Sequence, residues 1–258
     1  MPRFFLSTRQ GERGTIDGKE AHHLFAVHRH RVGDAIEVVH AGQVLRAEII
    51  EASTRAVTVR LTAQLVSPEA KLKVTLLQGF PKGDKLELII QKAVELGVAR
   101  VLPVTCSRSL AHVPSGKVAA RVERWRTIAA EAAKQSGRAV VPEISQPAEF
   151  TGAIGEVQAS LKLVAYEVAG SGLKEVLRRA GENQNLDSVA CLVGPEGGLS
   201  RDEVEAAEAA GFVPVTLGPR ILRTETAALT LVSAVMYELG DVGGRNDDGR
   251  ISHPRVQG

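Results

Sequence analysis

Three early stretches of the chain alternate between apolar and polar positions with a period of two: "AIEVV" (Ala35–Val39), "QVLRAEIIEA" (Gln43–Ala52) and "AVTVRLTAQL" (Ala56–Leu65). They are rich in β-branched residues and are separated by short "HAG" and "STR" turns, a pattern that predicts the strands of a small β-barrel. One helix interrupts them. Asp17 followed by Glu20 forms a capping-box pattern ahead of "AHHLFAVHRH", and the "VGD" of Val32–Asp34 turns the chain back.

Near "LVSPEAKLK" (Leu65–Lys73) the period changes, and strand-then-helix units begin. "KVTLLQGF" reads as a strand, "GDKLELIIQKAVELG" as a helix, "ARVLPVTC" as a strand, and residues from about Ser115 to Ser136 as a long helix. The alternation continues through "AVVPEI", "LKLVAYE" (Leu161–Glu167), a helix near Leu173–Ala180, "SVACLV", a helix from Arg201, "FVPVTLG" and a last helix ending near Leu239. Continuous apolar strands joined by helices imply an α/β architecture with a mostly parallel sheet covered on both faces. The expected organisation is therefore a β-rich domain over 1–69, an α/β domain over 70–241, and a tail over 242–258. That tail lacks apolar periodicity and is expected to be disordered.

A chain of 258 residues with 44% hydrophobic content can bury a proper core and suits one or two domains. Thirty-two basic and 30 acidic residues leave a formal charge of +2, so any nucleic-acid surface has to be local. Cys106 and Cys191 sit in or beside apolar runs and read as buried free thiols of a reducing compartment, with no disulfide framework. Neither a signal-type leader nor an apolar run of about 18 residues is visible, so the expectation is a soluble, cytoplasmic protein without membrane contact. His22, His23, His28 and His30 lie close in sequence without a recognised ligand spacing, which reads as surface or core histidines and no metal site.

Candidate chemistry concentrates in two loops. "LVGPEGGLSRDEVE" (Leu192–Glu205) runs from a strand through glycines into a helix capped by Ser200 and Glu203. A helix N-terminus suits an anion. Yet the loop has neither the Lys-Ser/Thr of a P-loop nor a GxGxxG, and Glu196 places negative charge where a phosphate would lie. "LGPRILRTETAAL" (Leu217–Leu229) repeats the arrangement, with Thr224 or Thr226 as the expected N-cap. Gly194-Pro195 and Gly218-Pro219 thus leave the carboxyl ends of two strands, the edge at which open α/β sheets place ligands. The alternative is two ordinary turns with Arg220 and Arg223 as solvated charges. The basic helix "GKVAARVERWRTIAAEAAKQSGR" (Gly116–Arg138) reads mainly as a solvated face with Val122, Trp125 and Ile128 inward. Phosphate contact is favoured only for its Lys134–Arg138 end and for Lys82 and Arg108, which flank strand ends.

These two loops, with "KGDKLELIIQKAVELGV" (Lys82–Val98) and "EAAKQSGRAVVPEI" (Glu131–Ile144), resemble the bacterial small-subunit ribosomal RNA methyltransferases that modify N3 of a uridine, the RsmE family of the SPOUT superfamily. The resemblance runs from Pro2 to about Gly240. It implies a PUA-like RNA-binding barrel followed by an S-adenosylmethionine-binding domain whose C-terminal part forms a trefoil knot, a topology that pattern rules alone argue against. It also implies a homodimer, in keeping with a last helix, "TAALTLVSAVMYEL", that is apolar nearly all round. The implied substrate is 16S ribosomal RNA, within the assembled small subunit.

By the same resemblance, the cofactor is wrapped by Gly194, Pro195, Glu196, Gly197, Gly198 and Leu199 of the first loop. Leu217, Gly218, Ile221, Leu222, Arg223, Thr226 and Ala227 would follow from the second, and Ala165, Tyr166 and Glu167 from the end of the "LVAYE" strand. A uracil N3 must lose its proton, which leaves negative charge on O2 and O4. Arg223 is the expected electrostatic group and Glu225 the candidate base, against structural roles for both as a loop brace and a first-turn carboxylate. The expected RNA contacts are Arg3, Lys82, Arg108, Lys134 and Arg138. Two other readings stand beside this one: a non-catalytic RNA-binding ribosome assembly factor, and an enzyme of nucleotide phosphates.

Overall fold

The computed structural model describes residues 3–109 and 115–244, so most of the tail, 245–258, lies outside the described residues. The described chain divides into two compact units, one made of the residues up to Glu69 together with Ala133–Val140, the other of Ala70–Ala132 and 141–244.

In the first unit, β1 (Arg3–Phe5), β2 (Thr8–Gln10), β3 (Arg13–Asp17), β4 (Ala35–His40), β5 (Gln43–Ala52) and β6 (Ala56–Leu65) form one sheet in the order β1-β4-β5-β6-β3-β2. All pairings are antiparallel except β1 with β4. The ends of this order are consecutive in the chain, joined only by Leu6 and Ser7. Flat, a six-stranded sheet would hold its edges about 24 Å apart, whereas that link reaches at most about 11 Å. The sheet must therefore curl enough to bring the end of β1 near the start of β2, and the link is itself hydrogen-bonded to the neighbouring strands, the Leu6 N–H to the Val39 carbonyl (2.9 Å) and the Ser7 N–H to the Thr15 carbonyl (2.8 Å). Alternation along the strands supplies the barrel interior, where Phe4, Ile16, Leu24, Ile36, Val38, Ile49, Val57 and Val59 are buried together. The strands β1 to β3 escape the periodicity reading because they are short and largely polar outside Phe4 and Ile16.

The expected capping box at Asp17 and Glu20 is not formed. Helix α1 (Gly18–His22) has Asp17 at its N-cap with no side-chain capping bond, and a π-helical turn (His23–Val27) replaces the rest of the anticipated helix. Tertiary partners outcompete the local ones: Asp17 accepts from the Ser7 hydroxyl, while Glu20 accepts the Phe5 N–H (3.2 Å) and pairs with Lys134.

Glu69 closes this unit. Its carboxylate receives the Arg138 guanidinium (2.6 Å) and the N–H groups of Ala139 (2.8 Å) and Val140 (3.1 Å). Burial pushes the Glu69 carboxyl up, but the Arg138 charge and these donors outweigh it and hold it below its usual range. A depressed carboxylate contributes stability above its unfolded value and loses it as pH falls through the folded one. Glu69→Gln is accordingly expected to cost about 3 kcal/mol at pH 7, as for breaking a mostly buried pair. The gap to the parent should narrow below pH 4.5, the group's ordinary value. Urea denaturation at neutral and acidic pH measures both.

The second unit contains β7 (Lys73–Gly79), α2 (Lys85–Glu95), β8 (Arg100–Thr105), most of α3 (Val118–Gln135), β9 (Glu143–Ile144), β10 (Ala148–Glu149), α4 (Phe150–Glu156), β11 (Leu161–Ala165), α5 (Leu173–Gly181), β12 (Ser188–Val193), α6 (Arg201–Ala209), β13 (Val213–Val215) and α7 (Thr224–Glu238). Its sheet has the order β10-β8-β7-β12-β11-β13, with β9 also on β8, and every pairing is parallel. β12 lies fully inside, all but its first residue buried, which explains its uninterrupted apolar run. The sequence pattern misses β10 and α4, because a two-residue strand has no period and Gly152 and Gly155 depress helix propensity. Buried Phe150, Ala153 and Ile154 hold α4 against the core instead. Cys106 and Cys191 are buried, and burial pushes both thiols up to about 12, so neither is a thiolate at neutral pH.

Candidate active site

The segments that follow β11, β12 and β13 leave the carboxyl edge of three adjacent parallel strands and enclose a cleft of about 440 Å³. That volume lies in the range of small-molecule and cofactor sites, roughly 300 to 1,000 Å³. The first wall, Gly194–Leu199, ends on α6, whose N-terminus carries the capping box read from the sequence. Ser200 Oγ accepts the Glu203 N–H (3.2 Å), and the Glu203 carboxylate accepts the Ser200 N–H (2.8 Å). The other Glu203 oxygen takes the Ser107 N–H (2.7 Å), so one buried carboxylate ties the loop after β8 to the cleft wall.

Close packing fixes where this wall stands. A Cβ on Gly79, at the end of β7, would lie 2.5 Å from the Pro195 nitrogen. Gly198 holds φ at +69° and Gly218 at +120°, conformations that favour glycine.

The second wall is tied to the first through Thr224. Contrary to expectation, neither Thr224 nor Thr226 caps α7; Arg223 occupies the N-cap without a side-chain bond. Thr224 is instead buried at the first helical position, where its hydroxyl donates to the Gly194 carbonyl (2.7 Å) and accepts from Gln78 Nε2 (2.9 Å). A hydroxyl bonded across the sheet edge is unavailable for local capping. The chain Gln78–Thr224–Gly194 couples the ends of β7 and β12 to the start of α7.

Glu196, anomalous for a phosphate loop, faces the protein. Its carboxylate accepts the Lys85 ammonium (2.9 Å) and the Lys82 N–H (3.1 Å). Burial pushes the carboxyl up, but Lys85 and the backbone donors prevail and hold it below the usual value. Lys85 also stands 3.6 Å from Glu225 Oε2, an oxygen that is buried and has no hydrogen-bond partner among the described residues. A lysine in the first turn of α2 opposes the helix dipole, and its two carboxylate partners account for its place there.

Of the residues expected around the cofactor, Ala165, Tyr166 and Glu167, the whole Gly194–Leu199 loop, Leu217, Gly218, Ile221, Leu222, Arg223 and Ala227 line this one cleft. Thr226 and Glu225 are not in its lining. Arg223 is exposed at the cleft, and its side chain has no bonded partner among the described residues. Sequence reasoning missed Lys85, Val193 and Thr216, and within the second loop it did not single out Arg220 and Thr224 as cleft residues; the ill-placed charge at the start of α2 was the available signal for the first.

The expected RNA contacts separate into two groups. In the first unit, Arg3 is engaged by Glu37 (2.9 Å) and the Gly137 carbonyl, Lys134 by Glu20, and Arg138 is buried against Glu69. In the second, Lys82 is exposed, while Arg108 braces the cleft wall through the Gly197 (3.3 Å) and Leu199 (3.4 Å) carbonyls. Among the described residues no group of His, Cys, Asp or Glu is arranged to hold a metal ion.

A parallel α/β unit with a glycine-walled cleft at its carboxyl edge, in a chain that also carries a small curled-sheet unit, is the organisation of an RNA methyltransferase: residues 68–236 match the family described as RNA methyltransferase domain, and residues 16–62 the RNA methyltransferase PUA domain. The chain belongs to the family of ribosomal RNA small subunit methyltransferase E. It is 37% identical over 251 residues to the protein of that name from Bacillus subtilis, covering 92% of this chain and 97% of the relative. To the Mycobacterium bovis protein it is 30% identical, covering 87% and 86%. Its fold is similar to the crystal structure of a ribosomal RNA small subunit methyltransferase E from Neisseria gonorrhoeae bound to S-adenosyl methionine, with a TM-score of 0.80 and 30% identity over 93% of this chain and 99% of that one.

Proposed function

We propose that this protein transfers a methyl group from S-adenosylmethionine to N3 of a uridine in 16S ribosomal RNA. The observation that carries the reading is the cleft itself: two Gly-Pro loops and a third strand end meet at the carboxyl edge of the parallel sheet, in a chain of an RNA methyltransferase family. The lining fits this cofactor. Leu199, Leu217 and Leu222 offer apolar surface to an adenine, glycine backbones offer N–H and carbonyl groups to its edge, and Glu167 offers a carboxylate to hydroxyl or ammonium groups. When bound, S-adenosylmethionine supplies an electrophilic methyl on a sulfonium centre.

The chain's own residues then divide the work. The Gln78–Thr224–Gly194 bonds and the Glu196–Lys85 pair hold both walls in register, which keeps donor and acceptor aligned. Arg223, without an internal partner among the described residues, stabilises negative charge on the uracil oxygens as the N3 proton passes to solvent water. Glu225, withdrawn from the cleft lining and beside Lys85, serves better to position that lysine and the start of α7 than as the base.

The substrate is RNA within the small subunit, bound in part by Lys82. Ile221, in the loop before α7, and Tyr237, in its last turn, are 92% and 69% exposed and give a second copy an apolar surface to cover, which supports a homodimer. The segment from β12 to α7 is threaded as a trefoil knot in this reading. The place of action in this reading is the cytoplasm; no helix of the described residues is long and apolar enough to cross a membrane.

The deciding experiment incubates the protein with labelled S-adenosylmethionine and small subunits lacking modification, then locates the label by mass spectrometry. Label on N3 of one uridine is the expected result. RNA binding without cofactor binding would instead support the assembly-factor reading, and calorimetric binding of ATP in place of S-adenosylmethionine the nucleotide-phosphate reading.

A further inference from the structure

The histidines that the methyltransferase reading leaves aside come together in the first unit. His23 and His28 meet edge-on with ring centroids 5.2 Å apart, His28 and His30 lie tilted at 6.2 Å, and Phe4 contacts both later rings at 5.8 and 6.1 Å. They are carried by the π-helical turn His23–Val27 and the loop after it. In that loop Arg29, held at φ +56°, sits between two of the imidazoles. A π-turn and a left-handed arginine are both costly local choices, and such features concentrate at functional surfaces.

The surface they build is mixed aromatic, apolar and cationic. Phe25, Val27 and Val32 are exposed large apolar side chains around it. The guanidinium groups of Arg29 and Arg31 make no hydrogen bond or ion pair among the described residues, and both residues are exposed. The single carboxylate bonded to the loop among the described residues, Asp34, accepts the Arg31 N–H (2.8 Å) and contacts His30 Nδ1 (3.3 Å). Burial lowers the His28 imidazole and repulsion from His23 and His30 lowers it further, which favours the uncharged ring. By contrast, the basic residues first favoured for RNA in this unit, Arg3, Lys134 and Arg138, are engaged by internal carboxylates.

We infer that the His23–Val32 loop is a docking platform for single-stranded RNA, with bases stacking on the imidazole and Phe25 faces while Arg29 and Arg31 meet the phosphates. The inference rests on the methyltransferase reading for RNA as partner and adds the place and mode of contact. Flat rings interleaved with cations match unpaired nucleotides, whose bases are free to stack; a duplex presents phosphates, hydroxyls and base edges to such a surface but no free base faces. A metal does not fit, because the rings pack against one another and the described residues show no converging ligand set.

The test uses the full-length protein and a fluorescein-labelled 12-nucleotide single-stranded oligouridylate, followed by anisotropy across a salt series, with methylation of small subunits measured in parallel. The double variant H28A/H30A is expected to bind roughly tenfold more weakly, from the loss of stacking, and H28F/H30F to bind like the parent. Arg29→Asn, which tolerates the left-handed backbone, combined with Arg31→Gln should flatten the salt dependence. Unchanged affinity in the alanine variant, equal loss in the phenylalanine variant, or equal competition by a 12-base-pair duplex would each overturn the platform. A parent protein that binds the oligonucleotide through this loop yet transfers no methyl group to small subunits would overturn the methyltransferase reading and leave the platform standing.

Discussion

Replacing Arg223 with alanine is expected to lower single-turnover methyl transfer by about 100- to 1,000-fold, the loss typical of removing a donor that faces developing negative charge, while S-adenosylmethionine affinity stays within a few fold. The reasoning is geometric. Arg223 stands at the N-cap of α7 with extended backbone, makes no side-chain cap and lines the cleft. A surface arginine with a merely structural role would have shown an internal partner to orient it. Arg223→Lys separates charge from shape: a point charge without the guanidinium fork should restore part of the rate. Calorimetry with S-adenosylmethionine and a labelled-methyl assay are the two measurements. Equal turnover in the alanine variant would remove Arg223 from the reaction.

Gly79→Ala is the second large effect, and it acts through backbone contact alone. The added methyl would lie 2.5 Å from the Pro195 nitrogen, 2.6 Å from its Cδ and 2.8 Å from the Gly194 carbonyl carbon. None of these atoms belongs to a flexible chain end that can swing aside. Either β7 or the Gly194–Leu199 wall has to move, and the Thr224 bond to Gly194 moves with it. Overpacking of this kind costs roughly 1 to 3 kcal/mol, and a wall displaced by an ångström costs about 100-fold in rate. Cofactor affinity and turnover should therefore fall together, unlike Arg223→Ala, where turnover falls alone. Parent-like cofactor binding in Gly79→Ala would mean that the clash is relieved elsewhere and that Gly79 does not set the wall.

The local elements were legible where a period or a cap is long enough to read. The alternation of β4 to β6, the apolar run of β12 and the Ser200–Glu203 box all follow from interactions within a few residues, and all appear in the fold. Where the reading failed, a distant partner took the group that the local motif would have used. Asp17 and Glu20 left their capping box for Ser7, Phe5 and Lys134, and Thr224 left its capping role for Gly194 and Gln78. Among the cations, Arg138 was read as a phosphate contact because a sequence does not show that Glu69 will be folded against it.

The sequence alone determined the α/β alternation, the place of the two Gly-Pro loops at strand ends and, through the resemblance of four motifs, the family. Each depends on neighbours in the chain or on motif identity. The tertiary structure decided what those loops are made to hold: that three parallel strand ends converge on one cleft, that Glu196 is neutralised by Lys85, that Gly79 is needed for the approach of Pro195, and that Arg223 is left without an internal partner among the described residues. These depend on which residues remote in sequence come within a few ångströms, and only the packed sheet sets those distances.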